Sequence, residues 1–147
     1  MKFAIACDPA GQPLKEPIKE TLTELGIEYE DFGINEGDPR DYPVFAVRAA
    51  NAVASGRCGR GIILCGTGVG ISIAANKVRG IRCALLHDLM SARMTREHND
   101  TNMMALGAAV TAQPLALEIV DTWLETAFSE GPRHQRRIDK ITALELE

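Results

Sequence analysis

The sequence predicts an α/β protein, a Rossmann-like three-layer αβα sandwich around a five-stranded parallel sheet. Three observations carry this. Short apolar runs rich in β-branched residues alternate strictly with longer segments of helical period, which implies βαβ units. The run Gly61-Ile62-Ile63-Leu64-Cys65 is too apolar for a strand with one wet face, so it belongs in the middle of a sheet covered on both sides. The chain has 147 residues, 46% of them apolar and 24% charged, enough to bury one sizeable core. Residues 1–147 are therefore expected to form one domain.

The elements follow in order. Phe3 to Cys7 reads as the first strand, and Asp8-Pro9-Ala10-Gly11-Gln12-Pro13 as the loop after it. Leu14, Ile18, Leu22 and Leu25 recur at helical spacing, with Gly26 as the C-terminal stop. Ile27 to Phe32 is a second strand, weakened by its acids, and Gly33 to Pro43 a loop. Val44 to Ala54 is a helix stopped by Ser55-Gly56. Gly61 to Cys65 is the third strand, and a helix through Ile73 and Asn76 follows its glycine loop. Ile81 to Leu86 is the fourth strand, Asp88 to Arg96 a helix capped by His87 or Asp88, and Asn102 to Leu106 the fifth strand. Leu115, Ile119, Trp123 and Ala127 mark one more helix, and Ile138, Ile141 and Leu144 a last one. Right-handed crossovers place the carboxyl ends of the strands on one edge, where such folds bind ligands. Cys7-Asp8, Cys65 with its glycines, and the region after strand four are expected there.

Charge excludes several roles. A net charge of −4 argues against a nucleic-acid partner or an anionic membrane surface. No apolar run reaches the ~20 residues of a membrane span. Cys7, Cys58, Cys65 and Cys83 lack CxxC spacing, which suits a reduced, cytoplasmic protein. The His and Cys residues lack zinc spacing and the carboxylates do not cluster, so no metal site is expected.

Three segments carry chemistry. In Cys65-Gly66-Thr67-Gly68-Val69-Gly70, glycines at alternate positions between a buried strand and a helix leave backbone N–H groups free to face an anion. The plain alternative is a tight turn that needs glycine for geometry. The GxGxG spacing departs from the dinucleotide fingerprint, and no Gly-Lys-Ser/Thr follows to make a Walker loop. Cys65 ends the strand in a positive backbone field that favours a thiolate, fit to be a nucleophile or a carbon-acid base. Cys7, Cys58 and Cys83 read as packing. In Arg96-Glu97-His98-Asn99-Asp100-Thr101-Asn102, His98 can move protons near neutral pH and Asn99 can donate and accept, although the stretch could equally be a connection. In Gly131-Pro132-Arg133-His134-Gln135-Arg136-Arg137, Arg133 and Arg137 stand at i and i+4, able to clamp a phosphate or carboxylate. The competing reading there is a solvated basic turn or ion pairs to acids such as Asp139. Together the segments suit proton transfer beside the carbonyl of a small anionic substrate.

The run Cys65 to Lys77 (CGTGVGISIAANK), Gly80-Ile81-Arg82, His98 to Asn102 (HNDTN) and Gly131 to Arg137 resemble the type B ribose-5-phosphate isomerases and the galactose-6-phosphate isomerase subunits. The likeness runs through the chain in order, including Cys7-Asp8 and Asp41-Tyr42-Pro43. It implies an aldose–ketose isomerase that works through a cis-enediolate without a cofactor. By that resemblance Cys65 is the base and His98 opens the sugar ring. Gly66, Gly68, Val69 and Gly70 give amides to the enediolate, with Thr67 beside the reacting oxygens. Asp8 and Asn99 contact sugar hydroxyls and Arg133 and Arg137 the phosphate, with Tyr42 and His134 as further substrate-binding residues. A branch of the family replaces the cysteine with a glutamate after the third glycine; here that position is Ile71, which puts this chain in the cysteine branch. The resemblance also implies a homodimer or homotetramer with shared sites, the C-terminal helix from about residue 133 reaching a partner. Two positions depart from the pattern: Pro9 stands where the family has histidine, and Ala109 where it has arginine. Ribose 5-phosphate is the first expectation. The departures leave open another phosphosugar, a non-phosphorylated sugar or a uronate. A non-catalytic sugar-binding subunit and a Cys-dependent hydrolase are the competing classes.

Overall fold

The computed structural model describes residues 1–146; the last residue of the expected 1–147 domain lies outside the described residues. Five parallel strands, β1 (Phe3–Cys7), β2 (Tyr29–Asp31), β3 (Arg60–Cys65), β4 (Cys83–Leu85) and β5 (Met103–Gly107), form one sheet in the order β2-β1-β3-β5-β4. The apolar β3 is central, as its composition predicts, paired with β1 from Phe3↔Arg60 to Cys7↔Leu64 and with β5 from Gly61↔Met103 to Cys65↔Gly107. The two edges are strands of three residues each, shorter than the sequence suggests, so little unpaired backbone is presented.

Strand alternation sorts the core into two layers. Ile5, Ile62, Leu64, Met104 and Leu106 point to α1 (Gln12–Glu24), α4 (Leu89–Asn99) and α5 (Gln113–Glu125), whose Leu14, Ile18, Ala92, Ile119 and Trp123 complete that layer. Ala4, Ala6, Ile63, Cys65 and Ala105 face α2 (Tyr42–Ala54) and α3 (Val69–Ala75). Alanines on both sheet and α2 (Ala46, Ala49, Ala50) let that helix lie close. The last helix, α6 (Pro132–Ala143), buries only His134 and Ile138 and leaves Ile141 46% exposed. None of the helices is long and apolar enough to cross a membrane.

Local chemistry explains where the boundaries moved. A single 3-10 turn, Pro9–Gly11, precedes α1, capped by Asp8. Helix α2 starts at Tyr42 rather than Val44, because Pro43 is tolerated in a first turn whose N–H groups have no helical partner. Helix α4 starts on the Asp88 cap, whose Oδ1 accepts from Ser91 N–H at 2.6 Å. It runs through Asn99, past the expected stop at Arg96, and ends where Asp100 takes a left-handed conformation with φ of 44°. His98 and Asn99 are thus last-turn helical residues, not members of a loop.

Candidate active site

The carboxyl edge of the sheet gathers the first group of predicted residues. Cys65 ends β3, 5% exposed, and its Sγ accepts from the Gly68 N–H at 3.1 Å. That bond requires the chain to turn back sharply at Gly68, which has φ of 78°; a Cβ there would also lie 2.6 Å from Leu85 Cδ1. Glycine is therefore needed for geometry. The plain turn reading and the amide-donor reading are compatible, since the same turn aims an N–H at the sulfur. Thr67 is exposed, and its Oγ1 accepts from Val69 N–H at 3.2 Å. Gly107 lets β5 approach this loop, where a Cβ would meet Thr67 C at 2.4 Å. Tyr42 joins the group from α2: a Cβ on Gly70 would fall 2.8 Å from its hydroxyl oxygen.

Asp8 lies at the same edge, but part of its role is structural. Its Oδ1 accepts from Gly11 N–H at 3.1 Å, and its own N–H donates to Leu64 O at 3.3 Å. The two positions that depart from the family pattern border this end too. Pro9 opens the 3-10 turn, and Ala109 N–H donates to Gly66 O at 2.9 Å.

The second group stands elsewhere. Helix α4 leaves the carboxyl edge after β4 and returns the chain to the amino edge, where β5 begins at Met103. His98 and Asn99 therefore lie beyond the opposite end of the strands from Cys65, whereas His87-Asp88, directly after β4, occupy the carboxyl edge as expected. At ~3.3 Å per residue, the four steps from Met103 to Gly107 alone separate the groups by about 13 Å.

Around His98 the HNDTN segment is largely architecture. Arg96, buried, donates from Nη1 to Thr101 O at 2.7 Å and to Asp100 Oδ1 at 2.9 Å, and from Nε to Thr126 O at 3.1 Å. Thr101 Oγ1 accepts from the buried Trp123 Nε1 at 3.0 Å. Asn102 Oδ1 accepts from Arg82 N–H at 2.8 Å. Asn99 is exposed, its Oδ1 accepting from Thr95 Oγ1 at 3.0 Å. The side chain next to His98 is one the sequence offers only as a substrate-binding residue: His134, whose ring stacks on it with centroids 4.2 Å apart and planes 12° from parallel. No periodicity links two histidines 36 positions apart, so this contact had no signal in the sequence.

Arg133, Arg136 and Arg137 are exposed and form no ion pair among the described residues; Asp139 Oδ1 is instead taken by Gln135 Nε2 at 2.8 Å. Of the two plain readings of this segment, the ion-paired one is absent. Burial, then the positive charges of His98, Arg133 and Arg137, hold the His134 pKa below its ordinary value. The other three cysteines fit the packing reading: burial raises the pKa of Cys7 and Cys58, and pushes Cys83 up to about 12.

Comparison with known proteins places the chain in a family. The ribose/galactose isomerase family matches residues 3–141. The chain belongs to that family. Ribose-5-phosphate isomerase B of Escherichia coli is 48% identical over 144 residues, covering 98% of this chain and 96% of that one. A D-erythrulose-4-phosphate isomerase of Pectobacterium atrosepticum is 40% identical over 142 residues, covering 96% and 93%. The structure of Clostridium thermocellum ribose-5-phosphate isomerase B superposes with a TM-score of 0.95 at 51% identity, covering 99% of this chain and 98% of that one. The chain thus shares both the fold and the aldose–ketose isomerase class of its relatives. That chemistry needs a base, a means of stabilising an oxyanion and, for a cyclic sugar, a group that opens the ring. The two residue groups of the isomerase lie at opposite edges of its own sheet.

Proposed function

We propose that this isomerase interconverts ribose 5-phosphate and ribulose 5-phosphate, in a site built from the carboxyl edge of one subunit and the α4–α6 end of another. The observation that carries the pairing is the opposite placement of Cys65 and His98. A base acting at carbon 2 and a group acting on the ring oxygen must reach the same small sugar, which one chain cannot arrange across the length of its sheet. A second copy supplies the missing half, and the exposed C-terminal helix is the segment available to cross.

His98 gives a proton to the ring oxygen as the bond from that oxygen to carbon 1 breaks, and the O1 hydroxyl proton returns to the same imidazole as the C1=O1 carbonyl forms. The Cys65 thiolate then takes the carbon 2 proton of the open aldose. The C–H electron pair forms the C1–C2 double bond and the carbonyl pair moves onto O1, giving the cis-enediolate. Amides of the Gly66–Gly70 turn other than those of Gly68 and Val69, which are taken by Cys65 Sγ and Thr67 Oγ1, serve that oxygen, and an oxyanion-hole donor of this kind is worth roughly 3–4 kcal/mol. The hydroxyl proton passes from O2 to O1 beside Thr67, and the Cys65 thiol returns its proton to carbon 1 to give the ketose. The Gly68 N–H donated to Cys65 Sγ supports negative charge there. Asp8, Tyr42 and Asn99 hold sugar hydroxyls. The unpaired Arg133 and Arg137 take the phosphate, as relatives named for phosphorylated sugars suggest.

A second reading keeps the mechanism and changes the sugar. Pro9 and Ala109 bring no charge to the Cys65 edge, so the anion is held by the α6 end alone, and a shorter or differently placed anionic group fits as well. Isomerisation followed by NMR in deuterium oxide tests both readings, using ribose 5-phosphate, ribose, allose, erythrose 4-phosphate and a uronate, with Cys65→Ala as control. Cys65-dependent ribulose 5-phosphate formation, with deuterium at carbon 2 on reversal, is the expected result. Turnover of another sugar alone selects the second reading. No exchange into any of them refutes the catalytic reading in favour of a binding subunit.

A further inference from the structure

His134 has a neighbour that an anion ligand would not need. Its imidazole lies flat on that of His98, centroids 4.2 Å apart and planes within 12°. The two rings come from different helices, and the join is braced by the two residues just before His98. Ser129 Oγ and Ser129 N–H both donate to Glu97 O, at 2.8 and 3.3 Å, tying the entry to α6 onto the last turn of α4. Arg96 Nε, in the same turn, reaches Thr126 O at 3.1 Å. Gly131 lets the ring lie close to the chain, since a Cβ there would fall 3.1 Å from His134 Cδ2.

The contrast with its neighbours on α6 points the same way. Arg133 and Arg137 are exposed and unpaired among the described residues, as phosphate ligands must be before substrate arrives. His134 is 9% exposed. Its Nε2 accepts from Arg133 Nε at the long distance of 3.5 Å, which turns a lone pair, not an N–H, toward the arginine. Burial and three nearby positive groups disfavour a charge on it. It is placed to hold a ring, and poorly placed to attract an anion.

We propose that His134 is a positioning residue for His98, its stacked ring fixing the plane in which His98 meets the sugar ring oxygen. The proposal rests on the reading that His98 opens the ring. It gives His134 a different task from Arg133 and Arg137, although the three are neighbours in sequence. Stacking needs a flat ring and not a particular nitrogen, so phenylalanine should replace this histidine better than an aliphatic residue of similar bulk.

The test separates ring opening from proton transfer at carbon. Ribose 5-phosphate is a furanose and must open. Ribulose 5-phosphate is acyclic, because its terminal oxygen carries the phosphate and cannot close onto the ketone. Turnover of the first and deuterium exchange into the second are measured for the full-length protein and for His134→Leu, His134→Phe and His98→Asn. His134→Leu should lose about 10- to 100-fold in ribose 5-phosphate turnover, the cost of a misplaced proton-transfer group, with a loss in exchange at least tenfold smaller. His134→Phe should recover most of that loss, and His98→Asn should show the same split more strongly. Equal losses in both assays for His134→Leu would make His134 an anion contact and overturn the proposal. So would a His134→Phe no better than His134→Leu. A split in His98→Asn with none in His134→Leu removes the proposal and leaves the ring-opening reading intact. If His98→Asn shows no split, the ring-opening reading and this proposal fall together.

Discussion

If the site is shared between subunits, two inactive chains must be able to repair one another. Cys65 pairs with Gly107 at one end of the sheet, and Met103, which follows the α4 turn bearing His98, pairs with Gly61 at the other. A Cys65→Ala chain therefore keeps an intact His98 end, and a His98→Asn chain an intact Cys65 end. Alone, each forms dimers in which both sites lack one group. Losing a base or acid of this kind costs about 10²- to 10⁴-fold, so either parent should retain at most ~1% of the wild-type rate. In a mixed dimer, one site collects both lesions and the other collects neither. A purified hybrid should then run at about half the wild-type rate, and an unsorted one-to-one mixture at about a quarter, from the symmetry of random pairing. The two chains are co-expressed with different affinity tags, the doubly tagged species is isolated, and its turnover of ribose 5-phosphate is compared with both parents. A doubly tagged species no more active than its parents would refute the argument, because it would mean that Cys65 and His98 of one chain serve one site.

Four further outcomes follow from the geometry. Gly68→Ala places a Cβ at φ of 78° and 2.6 Å from Leu85 Cδ1, so it should cost about 1–3 kcal/mol in urea unfolding and disturb the donor on Cys65. Trp123→Ala removes a fully buried indole and its bond to Thr101 Oγ1, and should cost about 3–5 kcal/mol by the same measurement. Brief iodoacetamide treatment near pH 7.5 should modify Cys65 ahead of Cys7, Cys58 and Cys83, read by peptide mass spectrometry, since burial raises the pKa of those three. Asp88 is held below its ordinary pKa of 3.8 by the Ser91 backbone and side-chain bonds. The stability it contributes is full above that value and is lost as pH falls through the lower folded one, so Asp88→Ala should flatten the acid side of a thermal-midpoint profile.

Most of the fold was legible because its signals are local. An apolar run such as Ile62 to Cys65 carries its own argument for a central strand, and Gly26, Asp88 and Pro43 mark helix ends through their backbone chemistry. The strand order was not legible: that β5 lies between β3 and β4 depends on pairing between distant segments. Boundaries failed where a tertiary contact extends an element. The polar stretch after Arg96 offers no apolar residue to continue α4, yet the helix persists because the buried Arg96 guanidinium gathers Asp100, Thr101 and Thr126 around its end. The likeness to the family brought candidate residues forward, but it could not tell chemistry from architecture within a motif. In HNDTN, Asp100, Thr101 and Asn102 brace the turn, and only His98 and Asn99 are left for substrate.

One feature of the site could have been deduced from connectivity alone. In a parallel sheet every strand starts at the same edge, so a residue a few positions before a strand lies at the amino edge, and one directly after a strand lies at the carboxyl edge. Cys65 closes β3 and His98 precedes β5 by five positions, which already separates them by the length of the sheet. Any reading that has both act on one sugar therefore requires a second subunit before a single coordinate is known. The α6 cluster strengthens the requirement: through the His98–His134 stack, Arg133 and Arg137 travel with His98 and not with Cys65. On that account the anion and the ring oxygen of the sugar are held by one chain, and the reacting carbons are presented to the cysteine of the other.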